Sequence, residues 1–206
     1  PDVPDTSGLT TVPHSPPPAF SMSVPADSLT ALKQTFSQVT DRASLDHPAI
    51  DVPADQVVPV LTHLRDQAGY DFLTDLTAID QGEEASPRFT VVYHLFSTTH
   101  LSYLRVATAC AGGADPVTAS VTSLWPAADW HEREAFDMFG IRFVGHPDLR
   151  RILMWDGYPH HPLRKEFPLA GIETTLPDLE VVAETGTKVL PAPMAGAACS
   201  ADLLKA

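Results

Sequence analysis

The hydrophobic spacing of this chain changes near residue 70, and that change bounds the folds open to it. Before it, Val57, Leu61, Leu64 and Ala68 recur at i, i+4, i+7 and i+11, one face of a helix that starts after Val52-Pro53 and stops at Gly69. After it the period is two. Residues 70–79 read as a strand, and 88–97 (RFTVVYHLFS) with 100–109 (HLSYLRVATA) read as an antiparallel hairpin turning over Thr98-Thr99. Phe89, Val91, Tyr93 and Leu95 would share its buried face. A further short helix is expected over 28–36, where Leu29, Leu32 and Phe36 hold helical spacing, and a weaker strand over 117–124. Helices and strands that do not strictly alternate predict an α+β fold, with a mostly antiparallel sheet and helices packed on one face. An extended, irregular C-terminal strap and a tail would follow it.

A third helix is expected over 127–139, stopped by Gly140. Ala128, Glu132, Ala135, Phe136 and Phe139 fall on one side of it, which sets the carboxylate of Glu132 on an apolar face. A buried carboxylate needs a partner, and the Arg150-Arg151 pair is the expected one, in an ion pair locking the following loop to the helix. From 141 to 169 no period is sustained, and Pro147, Pro159, Pro162 and Pro168 each remove a backbone donor, so that stretch is expected to run extended over the surface. The chain thus divides into a flexible Pro-rich arm (1–26, seven prolines), an α+β domain (27–140), an extended docking segment (141–169) and an acidic tail (170–206) with one short strand near 179–182.

Composition excludes several functions. A formal charge of −13 argues against nucleic acid as a partner, because phosphate recognition needs a concentrated basic surface. Two cysteines, Cys110 and Cys199, cannot by themselves ligate a four-thiolate cluster and do not suggest a disulfide framework. No apolar run approaches a membrane span, and the first twenty residues show neither a secretory nor a transit signal, so a chain made and kept in the cytoplasm is expected. Neither G-x-G-x-x-G nor G-x-x-x-x-G-K-[ST] occurs, nor the hydrolase elbow G-x-S-x-G. His131-Glu132 begins like a zincin helix but Ala135 stands where the second histidine is required. His146, His160 and His161 with Asp148 or Glu166 could be assembled into a metal site, although their spacing matches no established ligand set.

Charge placement is more informative than its total. Residues 126–169 hold six of the thirteen basic groups, Arg133, Arg142, Arg150, Arg151, Arg164 and Lys165, against seven acidic ones. Arg and Lys with Trp155, Tyr158 and Phe167 supply charged donors and large apolar anchors, so the stretch reads as docking chemistry, while internal salt bridging to the acidic body is the competing reading.

The run WHEREAFDMFGIRFVGHPDLRRIL, residues 130–153, followed by HPLRKEFP, residues 161–168, closely resembles the signature of the 30 kDa subunit family of NADH:quinone oxidoreductase, known in bacteria as the C subunit. On that resemblance Glu132, Arg133, Glu134, Asp137, Gly140, His146, Pro147, Asp148, Arg150, Arg151, His161, Pro162, Arg164 and Lys165 occupy signature positions, none of them catalytic. The family commonly has Gly at position 160 and Asp at 166, where this chain has His160 and Glu166; a left-handed turn at His160 is therefore in question.

The resemblance implies a cofactor-free, non-catalytic structural subunit of the hydrophilic arm of a proton-translocating respiratory complex I. It would dock on the 49 kDa-type quinone-site subunit, with FMN, iron–sulfur clusters, NADH and quinone bound by other subunits. It would sit peripherally on the cytoplasmic side of the bacterial inner membrane, touching the membrane only through the complex. The equivalent subunit of a membrane-bound hydrogenase, an F420H2 dehydrogenase or a photosynthetic NADH-like complex is the nearest alternative, and a free-standing metallohydrolase a distant one.

Overall fold

The alternation in residues 89–97 becomes the centre of the molecule. Phe89, Val91, Tyr93 and Leu95 are all buried on one face of a strand. The computed structural model describes residues 26–172. In order these form α1 (Ala26–Thr35), β1 (Thr40–Arg42), β2 (Ala49–Val52), α2 (Val57–Asp66), β3 (Phe72–Asp80), β4 (Phe89–Ser97), β5 (Ser102–Ala109), β6 (Val117–Ala119), α3 (Ala128–Phe139) and β7 (Arg142–Val144). The arm before Ala26, Cys199 and the short strand expected near 179–182 lie outside the described residues.

Five strands make one mixed sheet in the order β1-β2-β5-β4-β3, antiparallel except where β2 runs parallel to β5. Register places Leu73, Leu76 and Ala78 of β3 opposite Leu95, Tyr93 and Val91, and Leu104 and Val106 of β5 opposite Leu95 and Tyr93. These residues join Val57, Val60, Leu61 and Leu64 of α2 and Ala135, Met138 and Phe139 of α3 in one buried cluster, so the helices cover this face. Among the described residues no helix is long and apolar enough to cross a membrane.

Three departures from the sequence reading have physical causes. The hairpin turns over four residues, 98–101, not over Thr98-Thr99 alone. Ser97 pairs with Ser102, and Asp71 accepts from the backbone N–H and the hydroxyl of Thr98, which ties the wider turn to the start of β3. Second, α2 begins at Val57, because Gln56 N–H first closes a turn on the Pro53 carbonyl. It ends at Asp66, three residues before the expected stop at Gly69, which takes φ +72° as the chain leaves the helix and Tyr70 N–H returns to the Leu64 carbonyl. Third, the strand expected over 117–124 stops at Ala119, and β6 pairs in parallel with β7, inside the stretch expected to be irregular. Residues 121–125 instead coil into a turn, with the N–H groups of Leu124 and Trp125 both returning to the Val121 carbonyl.

Because only one sheet face carries the helices, truncation should be strongly asymmetric. Leu64→Ala is expected to cost about 2–5 kcal/mol, the usual range for a large core side chain. Ile79→Ala, on the opposite and half-exposed face, should cost under about 1 kcal/mol. Urea unfolding of the two variants measures the difference, and equal losses would contradict the single-faced core.

Candidate functional site

α3 and the segment after it bring most of the signature residues together, and the arrangement is built from the helix outward. An α-helix leaves its last four carbonyls without intrahelical partners. Here each of them is satisfied from beyond the helix. Gly140 N–H donates to the Phe136 carbonyl, His161 Nδ1 to that of Asp137 at 2.9 Å, Leu163 N–H to that of Met138 and Arg164 Nε to that of Phe139 at 2.7 Å. Residues 161–164 are therefore the cap of α3. Gly140 makes this possible twice over. Its φ of +77° turns the chain, and a Cβ there would stand 2.6 Å from Arg164 Nη2 and 2.7 Å from His161 Nε2.

Asp137 is the hub. Its fully buried carboxylate takes Arg151 Nη1 on Oδ1 at 2.5 Å and the consecutive N–H groups of Ile152, Leu153 and Met154 on Oδ2 at 3.0, 2.7 and 2.8 Å. Arg151 also donates to the His160 carbonyl and lies over Tyr158. Arg133, buried one turn earlier, lies over Trp130 and donates to the carbonyls of Arg150 and Arg151. Further on, Arg164 packs over Phe89 and donates to the Ala114 carbonyl, while Lys165 N–H reaches the buried Asp80 carboxylate. Arg88 pairs with both Asp80 and Glu166. Those contacts hold the Asp80 carboxyl at about 2: burial alone would raise it, and Arg88 with the N–H groups of Lys165 and Gly82 overrides that.

Glu132 departs from the expectation. It is buried on the apolar side of α3 as its position predicts, but neither Arg150 nor Arg151 is its partner. Oε1 accepts the Val121 N–H at 2.7 Å, and Oε2 has no hydrogen-bond partner among the described residues. Burial, helped by the charge of Asp129, pushes its carboxyl up to about 7, against the lowering effects of the Val121 N–H and the nearby Ser120 side chain. The ion pair that locks loop to helix exists, and Asp137 makes it.

The histidines are not gathered into a metal site. His146, its ring fully buried, receives the Asp148 N–H on Nδ1 and meets Asp129 through Nε2, at the start of α3. His161 sits at the opposite end of the same helix, and His160 lies edge-to-face on Tyr158 and tilted against Phe167. His160 has no left-handed backbone; the only non-glycine positive φ among the described residues is at Leu101. No group of three or more His, Cys, Asp or Glu among the described residues could hold a metal ion.

Of the three aromatic anchors expected for docking, Tyr158 turns inward, while Trp155 and Phe167 are half-buried. Tyr158 is buried, with Trp155 packed on one side and His160 on the other. What the segment exposes is a different set: Trp130 (61%), Val144 (63%), Leu153 (56%) and Leu163 (51%), with Glu134, Pro147, Lys165 and the Arg150–Asp148 pair, whose Arg150 side chain is 67% exposed. Pro162 is half-buried within the helix cap.

The comparisons agree with the signature. The family described as the respiratory-chain NADH dehydrogenase 30 kDa subunit matches residues 50–173. The chain is 45% identical to the NADH-quinone oxidoreductase C subunit of Moorella thermoacetica over 138 residues, covering 67% of this chain and 91% of that one. It is 43% identical to the C subunit numbered 2 of Rhizobium meliloti, covering 72% and 82%. A Sulfurihydrogenibium protein named as the C/D subunit is 46% identical over 134 residues, which make up only 23% of its length. The fold is shared with a chain in the structure of a membrane-bound sulfane sulfur reductase, an archaeal respiratory membrane complex, at a TM-score of 0.60 and 23% identity, covering 69% of this chain and 84% of that one.

Two measurements test this geometry. Asp137→Asn keeps the shape but leaves Arg151 without its counter-charge, so a loss of about 3–5 kcal/mol is expected in chemical denaturation, whereas Arg150→Ala should stay within about 0.5 kcal/mol. For Glu132 the folded state holds its proton more tightly than the unfolded chain, since the carboxyl moves from 4.5 to about 7. Its stabilising contribution is complete below about pH 4.5 and lost as pH rises toward 7, a change on the order of 3 kcal/mol. Glu132→Gln should flatten that part of the stability–pH curve; an unchanged slope would assign it to another group.

Proposed function

The chain belongs to the 30 kDa subunit family of the respiratory-chain NADH dehydrogenase, and from that membership we propose that it is a cofactor-free structural subunit of the enzyme's hydrophilic arm, docked on the 49 kDa-type quinone-site subunit. Its partners are other subunits of NADH-quinone oxidoreductase, the enzyme for which its relatives are named. The observation that carries the non-catalytic reading is how the signature divides. Asp137, Arg133, Arg151, His161 and Arg164, the groups an active site would need free, are committed to capping and clamping α3. The outward remainder combines the charged Glu134, Asp148, Arg150 and Lys165 with the exposed apolar Trp130, Val144, Leu153 and Leu163, apolar patches among polar groups as interfaces have.

A directly bound partner subunit draws support from the Sulfurihydrogenibium relative, whose name joins two subunits, C and D, in one protein. A chain that serves as a scaffold beside the quinone site would hold the arm together while FMN, the iron–sulfur clusters, NADH and quinone are bound elsewhere. In this reading it lies peripherally on the cytoplasmic side of the bacterial inner membrane, and the complex as a whole moves protons.

A tagged copy pulled from membranes extracted in mild detergent should bring the other subunits with it. Replacing Trp130 and Leu153 by Ser together with Arg150→Ala is expected to weaken that recovery at least about tenfold, since removing anchors from an interface centre costs roughly 2 kcal/mol or more each. The circular dichroism and unfolding midpoint of the purified chain should change little. Recovery of the chain alone from wild-type membranes would sink the proposal.

A further inference from the structure

We propose that the proline-rich segment 13–18 of this chain's own N-terminal arm docks on an aromatic stripe across the open face of the five-stranded sheet. Register sets the stripe. Phe72 lies opposite Phe96, and Phe96 opposite Tyr103. Side chains directly opposite on neighbouring strands share a face, and here that face is the one turned away from the helices. The rings of Phe96 and Tyr103 are 4.7 Å apart between centroids, and His47, from the β1–β2 connection, continues the row 5.0 Å from Tyr103. Phe72 is 53% exposed and the other three are half-buried. Beside them opens a cavity of about 190 Å³ walled by Asp46, His47, Thr74, His94, Tyr103 and Arg105.

The chain itself supplies an occupant. Aromatic rows with shallow clefts between them are the surfaces that receive polyproline segments, whose stiff backbone loses little entropy on binding and whose pyrrolidine rings lie flat on the aromatic faces. Pro13-His14-Ser15-Pro16-Pro17-Pro18 holds four of the seven prolines that precede Ala26.

Charge agrees. From Thr6 to Pro25 the chain has no Asp, Glu, Lys or Arg, and the arginines flanking the stripe are already paired, Arg105 with Asp46 and Arg42 with Asp51. An uncharged segment can cover that face without stranding a charge. A second copy of the chain would bring −13 against −13.

Reach also agrees. Lys33 of α1 is paired with Asp41 on the edge strand β1, Ala26 stands seven residues back along the helix, about 10 Å, and Tyr103 on β5 lies two strands further in, about 10 Å at the usual strand spacing. Residues 19–25 can extend roughly 25 Å, enough to pass the sheet edge.

The test uses the full-length chain with a benzoylphenylalanine photo-crosslinker in place of Tyr103. After irradiation and peptide mass spectrometry, intrachain crosslinks to residues 10–25 are expected, and none from a crosslinker at Thr77, which is exposed farther along the same face. Pro16→Ala, Pro17→Ala and Pro18→Ala combined, which leave the described fold untouched, should cut the crosslink yield about tenfold and shift the Phe96 ring resonances of the unlabelled protein. Crosslinks to a second copy or to another subunit, no crosslink to the arm, or an unchanged yield in the triple variant would overturn the proposal.

Discussion

The carboxylate of Asp137 is the contact on which the rest of this arrangement depends. A buried ionised carboxylate is tolerated only with an opposite charge and a full set of donors around it. Asp137 obtains both from a single short stretch: Arg151 supplies the charge and residues 152–154 supply three successive N–H groups. Satisfying one side chain therefore fixes the backbone of four consecutive residues. With that stretch held, His161, Leu163 and Arg164 come to rest under the open end of α3. An irregular segment without a core of its own gains a defined path because it completes the hydrogen bonding of a helix that has one.

This changes what the cluster of positive charge means. Arginines concentrated in an acidic chain suggest an outward, partner-seeking surface, yet Arg133, Arg151 and Arg164 each spend donors on main-chain carbonyls of the same fold. A guanidinium with five donors in a fixed fork suits that work: it can neutralise a carboxylate and bond a carbonyl at once, as Arg151 does with Asp137 and His160. The outward surface is left to side chains with nothing to gain inside, notably Trp130, Val144, Leu153 and Arg150. One stretch of chain thus shapes the fold with its polar groups and leaves several of its apolar ones exposed.

Much of the architecture was legible because it follows from period. The β4–β5 pairing, the α2 stripe and the stop at Gly140 each need only local sequence, and each is found. β1, β2 and β7 were not legible: three or four residues are too few to show alternation, and their strand state depends on the neighbours they pair with. At the site, the helix face of Glu132 could be read but its partner could not, because the choice between Glu132 and Asp137 for Arg151 is made by tertiary geometry. One signal for Asp137 was present. Its position two residues before the helix-ending Phe139 points it toward whatever chain follows, whereas Glu132 points into the core.

The two buried acids of α3 show how far environment outweighs residue type. Asp137 meets one cation and three amides; Glu132 meets one amide and has a bare second oxygen. Nearby, burial raises the phenol of Tyr93 above its ordinary value, and the charge of Glu132 raises it further. The protein therefore keeps a charge at one end of the helix and resists one in the middle of the same helix. A charged Glu132 would act on the turn at Val121 and hence on β6, whose only partner strand among the described residues is β7, and β7 leads directly into the clamped segment. Small, weakly buttressed elements are the ones that open first in a folded domain, and β6 and β7, three residues each, are elements of that kind.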